Sequence, residues 1–124
     1  MKLDSYRDLI FWQKSYLVTK RILQVVKKLP RDYATEVIVK QIVRASTSVG
    51  ANIAEGYARY IGKEWCHFLT TSVGSAIEVD YWLLLLNDMH QEFSLEINEI
   101  TDLNLEVIKM LHSTIKTLKS KGIV

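Results

Sequence analysis

The side chains able to do chemistry are few and scattered. Three histidines, His67, His90 and His112, fall in different segments of a 124-residue chain. None has a second ligand placed three or four residues on, the spacing that sets two ligands on one helix face. Glu64 precedes His67 by three residues, an order suited to one ion pair or a solvated turn, so no metal site is expected. Cys66 adjoins His67, but neighbours on a helix diverge by about 100° and cannot meet as nucleophile and base. Cys66 therefore reads as a half-buried structural cysteine. Gly74-Ser75 lacks the frame of a nucleophile elbow, and no glycine-rich phosphate loop occurs. The sequence reads as a binding protein and not an enzyme, with no cofactor and no small-molecule substrate.

Positive charge offers more. Arg7, Lys14, Arg21 and Lys28 recur every seven residues with Lys20, Lys27 and Arg31 alongside, and Lys109, His112, Lys116 and Lys119 follow at spacings of three, four and three. On helices each set forms a stripe. Two such stripes side by side make one basic face, which suits the phosphates of nucleic acid, although a charge run also serves as a plain solvated face. Net charge is only +2, yet residues 1–63 carry +7, residues 64–106 carry −9 and residues 107–124 carry +4. Nothing in this spacing reads base sequence.

The stripes need helices to position them. The single proline, Pro30, and the glycines Gly62 and Gly122 sit where helical periodicity breaks. A first helix is predicted from Asp4 or Ser5, with Asp8 in a capping-box position, to about Lys28 before Leu29-Pro30. A second is predicted from Asp32 to about Tyr60, and a third from about Lys63 to Met89 after Gly62. A fourth runs from about Leu95, capped by Ser94, to Lys119 before Lys121-Gly122. The fold class is all-α, one domain over residues 1–124, an antiparallel up-down-up-down four-helix bundle with the first and fourth helices adjacent.

Within the second helix, Ala34, Ile38, Gln41, Ala45, Val49, Asn52 and Gly56 alternate at four and three residues, a seam of mostly small side chains. Arg44, Ser48, Asn52, Glu55, Gly56 and Glu78 are the expected structural seam. An antiparallel register about residues 60–61 sets Arg44 opposite Ile77-Glu78 and predicts an Arg44–Glu78 ion pair. Arg44 and Glu55 stand about three turns apart and cannot pair with each other.

The third helix is apolar around its whole circumference from Val79 to Leu86, and such a helix must be covered on every side. The first helix has two apolar stripes, Leu9, Trp12, Tyr16, Leu23 and Val26 beside Phe11, Val18, Ile22, Val25 and Leu29. One bundle cannot cover all of these, so a homo-oligomer is predicted, with Trp12, Tyr81, Trp82 and Leu85 at its interface. The N-terminal segment carries acids where a signal peptide needs a basic and then continuously apolar stretch, and the longest apolar run falls far short of the roughly 20 residues needed to span a bilayer. One cysteine gives no intrachain disulfide. A cytoplasmic protein with no membrane partner is expected.

From Tyr6 to about Lys119 the chain resembles the bacterial four-helix bundle family known from open reading frames in intervening sequences of 23S ribosomal RNA genes. The residues carrying the likeness are Leu9-Ile10-Phe11-Trp12-Gln13-Lys14, Leu29-Pro30, Gln41-Ile42-Val43-Arg44-Ala45 with Ser48, Asn52-Ile53-Ala54-Glu55-Gly56, Phe68-Leu69, Gly74-Ser75 and Glu78. The resemblance implies a homopentameric barrel of such bundles. It also implies a nucleic-acid context, RNA ahead of DNA. Relatives that serve as accessory variability proteins of diversity-generating retroelements add a reverse transcriptase as a second candidate partner. The chain departs from the family pattern at Ser72-Val73, where many members carry Ala-Arg, and at Gly50, where proline is common.

Overall fold

A computed structural model describes residues 5–60 and 62–122. Among them the chain is all-α: α1 (Ile10–Val26), α2 (Tyr33–Ala58), α3 (Gly62–Met89) and α4 (Ser94–Ser120) form a helical bundle, with 3-10 turns at Tyr6–Asp8 and Gln91–Phe93. No described helix is long and apolar enough to cross a membrane.

The first helix is not continuous from Ser5. Ser5 Oγ accepts from the Arg7 amide at 3.1 Å and Asp8 Oδ2 accepts from the Ser5 amide at 3.2 Å, but this box caps only the 3-10 turn. Leu9 is extended, with ψ 124°, and α1 starts after it. Leu9 stands at the N-cap of α1 without a side-chain cap. Gln13 bridges the gap instead, its Nε2 donating to the Arg7 carbonyl at 2.8 Å. Asp4, the other expected start, lies outside the described residues.

Asp32 caps α2, accepting from the Thr35 amide at 2.8 Å. That bond, with a further one from the Thr35 side chain and the nearby charge of His90, holds the Asp32 carboxyl below its ordinary value. A carboxylate with a depressed folded value stabilises the fold above the unfolded value and loses that contribution as pH falls through the folded one. Urea midpoints of the native chain are expected to drop below about pH 4, and Asp32→Asn, which still caps, should show a shallower acid slope. Equal slopes would place the acid sensitivity elsewhere.

α2 ends at Ala58, two residues before the expected Tyr60. At Gly62 φ is +27°, a value that side-chain-bearing residues rarely adopt, and α3 begins there. Ser94 does not cap α4. Its hydroxyl donates instead to Asn87 Oδ1 at 2.6 Å, fastening α4 to the end of α3.

The core settles which stripe of α1 is internal. Phe11, Val18, Ile22, Val25 and Leu29 are buried, while Tyr16 and Leu23 of the neighbouring stripe are exposed and Leu9, Trp12 and Val26 lie half-buried. α2 buries Thr35, Ile38, Ile42, Ala45, Val49, Ile53 and Gly56. This row only overlaps the expected seam: Ala34 is exposed and Gln41 and Asn52 are half-buried. The four-and-three spacing fits two adjacent rows of one helix, and the isoleucines, with more apolar area to hide, take the inner one. α3 contributes Leu69, Leu83 and Leu86, and α4 contributes Ile97, Val107 and Leu111, all shielded from solvent. Cys66 is fully buried where a half-buried position was expected.

Each helix packs chiefly against two others, α1 on α2 and α4, α3 on α2 and α4. Across α2 and α3, later residues of one meet earlier residues of the other: Arg44 with Glu78, Ser48 with Ser75, Val49 with Ser72.

Candidate nucleic-acid interface and the seam behind it

Of the heptad stripe, Arg7 belongs to the 3-10 turn before α1 and sits over the Tyr6 ring, whereas Lys14, Arg21 and Lys28 lie on the α4-facing flank. There Lys14 Nζ meets Glu106 at 3.2 Å and Lys28 Nζ meets Glu96 at 2.9 Å. Arg21 and Lys28 share a shallow cleft with Glu96 and Glu99. The face is therefore mixed in sign where the two helices touch, because α1 meets the acidic first half of α4 and not only its lysine-bearing end. Both pairs are largely exposed and each stabilises by about 0–1 kcal/mol. Their larger effect is to neutralise two of the four cations of the heptad stripe.

The other expected cations remain outward. Lys109, Lys116 and Lys119 are exposed, and none takes part in an ion pair among the described residues. Lys20 sits over the Tyr16 ring and Arg7 over the Tyr6 ring, each 5.8 Å from the centroid. Tyr6, Trp12 and Tyr16 form an aromatic cluster: Trp12 and Tyr16 stack at 5.1 Å and Tyr6 meets Trp12 edge-on at 4.9 Å.

Between α2 and α3 the polar seam is internally satisfied. The pair expected from the register is present, Arg44 Nη2 to Glu78 Oε2 at 3.4 Å, and the same carboxylate oxygen accepts from Trp82 Nε1 at 2.9 Å. Asn52 Nδ2 donates to the Ser48 carbonyl and hydroxyl, both at 2.9 Å, and Ser75 donates to Ser48 Oγ at 3.1 Å. Glu55 pairs one turn on with Arg59 at 3.1 Å. At Gly56 the helices approach so closely that an added Cβ would stand 2.5 Å from Phe68 Cβ. Hydroxyls and amides committed in this way hold register and spacing; they do not present an activated nucleophile.

Of the residues expected at a subunit interface, Tyr81 is exposed and Trp82 and Leu85 are half-buried on α3. Trp12 belongs to a separate surface, the groove between α1 and α2. The outermost apolar residues of α3 are Ile77, Tyr81 and Leu84, which are 51%, 54% and 59% exposed.

Two internal polar residues escape notice in the sequence. His90, in a segment that reads as a polar turn, is buried, with Nε2 2.9 Å from Thr35 Oγ1. Asn104 is buried in α4 and donates to the Ala76 carbonyl at 2.9 Å. Its position three before Val107 and seven before Leu111 in the apolar row is the one signal the sequence offers. Among the described residues no group of three or more His, Cys, Asp or Glu side chains is placed to hold a metal.

What these features define is a small helical-bundle protein with a close, polar contact between its two central helices and charged and aromatic outer surfaces. The chain belongs to the 23S rRNA-intervening sequence protein family, whose model matches residues 7–113. It is similar to a crystal structure of a protein of unknown function from the S23 ribosomal protein family of Bacteroides thetaiotaomicron VPI-5482. The two are 31% identical with a TM-score of 0.78, over 86% of this chain and 99% of that one. No curated protein matches.

Proposed function

We propose that the chain is one subunit of a self-assembling, non-enzymatic scaffold that binds nucleic acid, RNA ahead of DNA. The observation that carries this reading is the apolar outer face of α3, Ile77, Tyr81 and Leu84 on a helix whose opposite side is already core. A subunit contact removes that face from water. The opposite residue order across the helix contacts supports an up-down-up-down course, and the family resemblance supplies a ring of five. Such a ring needs a head-to-tail contact that closes.

Repetition then strengthens a weak ligand face. Lys109, Lys116 and Lys119, with Arg7, Lys20 and Arg21, are the phosphate contacts of each subunit; Lys14 and Lys28 contribute less because glutamates already hold them. Several subunits on one strand convert separate weak contacts into avid binding.

Light scattering at high salt after nuclease treatment tests the assembly, and the expected mass is near five times 14.3 kDa. RNA affinity is then expected to fall steeply with salt, the slope of log K against log salt being about −0.7 for each phosphate neutralised on a single strand. A monomer at every concentration, or an affinity indifferent to salt, would overturn the corresponding half of the proposal.

A further inference from the structure

The α1–α2 groove holds a feature that charge alone does not explain. Tyr6, Trp12 and Tyr16 wall a cleft of about 260 Å³ whose floor is Gly50, Ala51 and Ala54 of α2. Drug-sized ligands occupy sites from roughly 300 Å³ upward, so this cleft suits one flat ring. Small floor residues keep it open: a Cβ at Gly50 would stand 3.3 Å from Trp12 Nε1. That indole N–H has no acceptor among the described residues, yet it is not a buried orphan, so it remains available to a ligand. Tyr16, 53% exposed, continues the Trp12 stack outward, and its ring carries the Lys20 ammonium 5.8 Å from the centroid, a flexible cation that a stacking base can displace toward its own phosphate.

Charge at the rim selects the kind of ring. Among the described residues no Asp or Glu lines the cleft, while Arg7 and Lys20 stand at the two tyrosines on its edge. An aromatic wall, a free N–H and flanking cations complement a nucleobase joined to phosphates. Base–aromatic stacking is sequence-tolerant because every base has a π-face. The geometry points to a base-stacking site for single-stranded RNA in this cleft, with Tyr16 as the platform and Arg7 and Lys20 on the adjoining phosphates. This rests on the nucleic-acid reading above and adds strand type and mode of contact to it.

The probes are a fluorescent oligouridylate of about 12 nucleotides, within the span known for single-strand sites, and an abasic ribose-phosphate strand of equal length. Anisotropy titrations of the full chain are expected to show the uridylate bound about tenfold more tightly. Tyr16→Ala should bring the two strands to near equality, and Tyr16→Phe should keep the preference. Equal binding of both strands by the native chain would overturn stacking while leaving phosphate binding intact. Failure to bind either strand would overturn both. A Tyr16→Ala chain that loses solution mass but keeps the strand preference would make the cleft a contact between copies, which also overturns the proposal.

Discussion

Replacing Gly56 with alanine is expected to lower the thermal midpoint by roughly 5–10 °C, although alanine is the better helix former by about 1 kcal/mol. The added Cβ would lie 2.5 Å from Phe68 Cβ and 3.0 Å from Trp65 Cε3. Phe68 Cβ is attached directly to the α3 backbone, so no rotamer change relieves the clash and the helix itself must withdraw. Withdrawal stretches the bonds that pin α3 to α2, from Ser72 to the Val49 carbonyl at 2.9 Å and from Ser75 to Ser48 at 3.1 Å. Overpacking of this sort costs about 1–3 kcal/mol or more, and it outweighs the gain in propensity. Differential scanning calorimetry at one protein concentration decides it. A midpoint unchanged or raised would mean that the two helices are not closely packed at this level.

The largest expected effect on assembly comes from placing charge on α3. A chain with Tyr81→Glu and Leu84→Glu is expected to scatter as a 14.3 kDa monomer where the native protein is expected to scatter as an oligomer. Both side chains are more than half exposed in the single chain, so neither change removes core packing and the helical circular dichroism should persist. In a subunit contact each carboxylate is buried without a partner, at a cost of several kcal/mol. Every 1.4 kcal/mol is a factor of ten in the dissociation constant, so the contact weakens by three orders of magnitude or more. An unchanged mass would move the interface off this face.

These expectations draw on what the sequence did make readable. Pro30, Asp32 and Gly62 mark helix ends because each acts on its own backbone, by a fixed φ, a capping carboxylate or a permitted positive φ. The Arg44–Glu78 pair was legible for a related reason: a short connection fixes the register of its two helices. The sign of the α1–α4 flank was not. Whether Lys14 faces Lys109 or Glu106 depends on the offset of two helices joined only through the other two, and periodicity is silent about offset. The burial of His90 is not legible because a histidine beside Gln91-Glu92 carries the composition of a turn, whereas its partner, Thr35, is 55 residues away. The break at Leu9 was hidden by a capping box that is genuine but serves a single 3-10 turn. As for the candidate site, its cations could be picked out by spacing, but the cleft depends on Gly50, Ala51 and Ala54 facing Trp12, which only the packing of α1 on α2 brings about.

The pairing of Lys14 with Glu106, 92 residues apart, also has a meaning in time. α2 and α3 are joined by a short connection and can zip from neighbouring residues, whereas the first helix meets the last only after a long loop closes, an entropic toll that local contacts do not carry. On a ribosome, α4 emerges after α1, α2 and α3. Until then the flank that bears Lys14 and Lys28 has no glutamates opposite it, and that flank is more strongly cationic than in the folded protein.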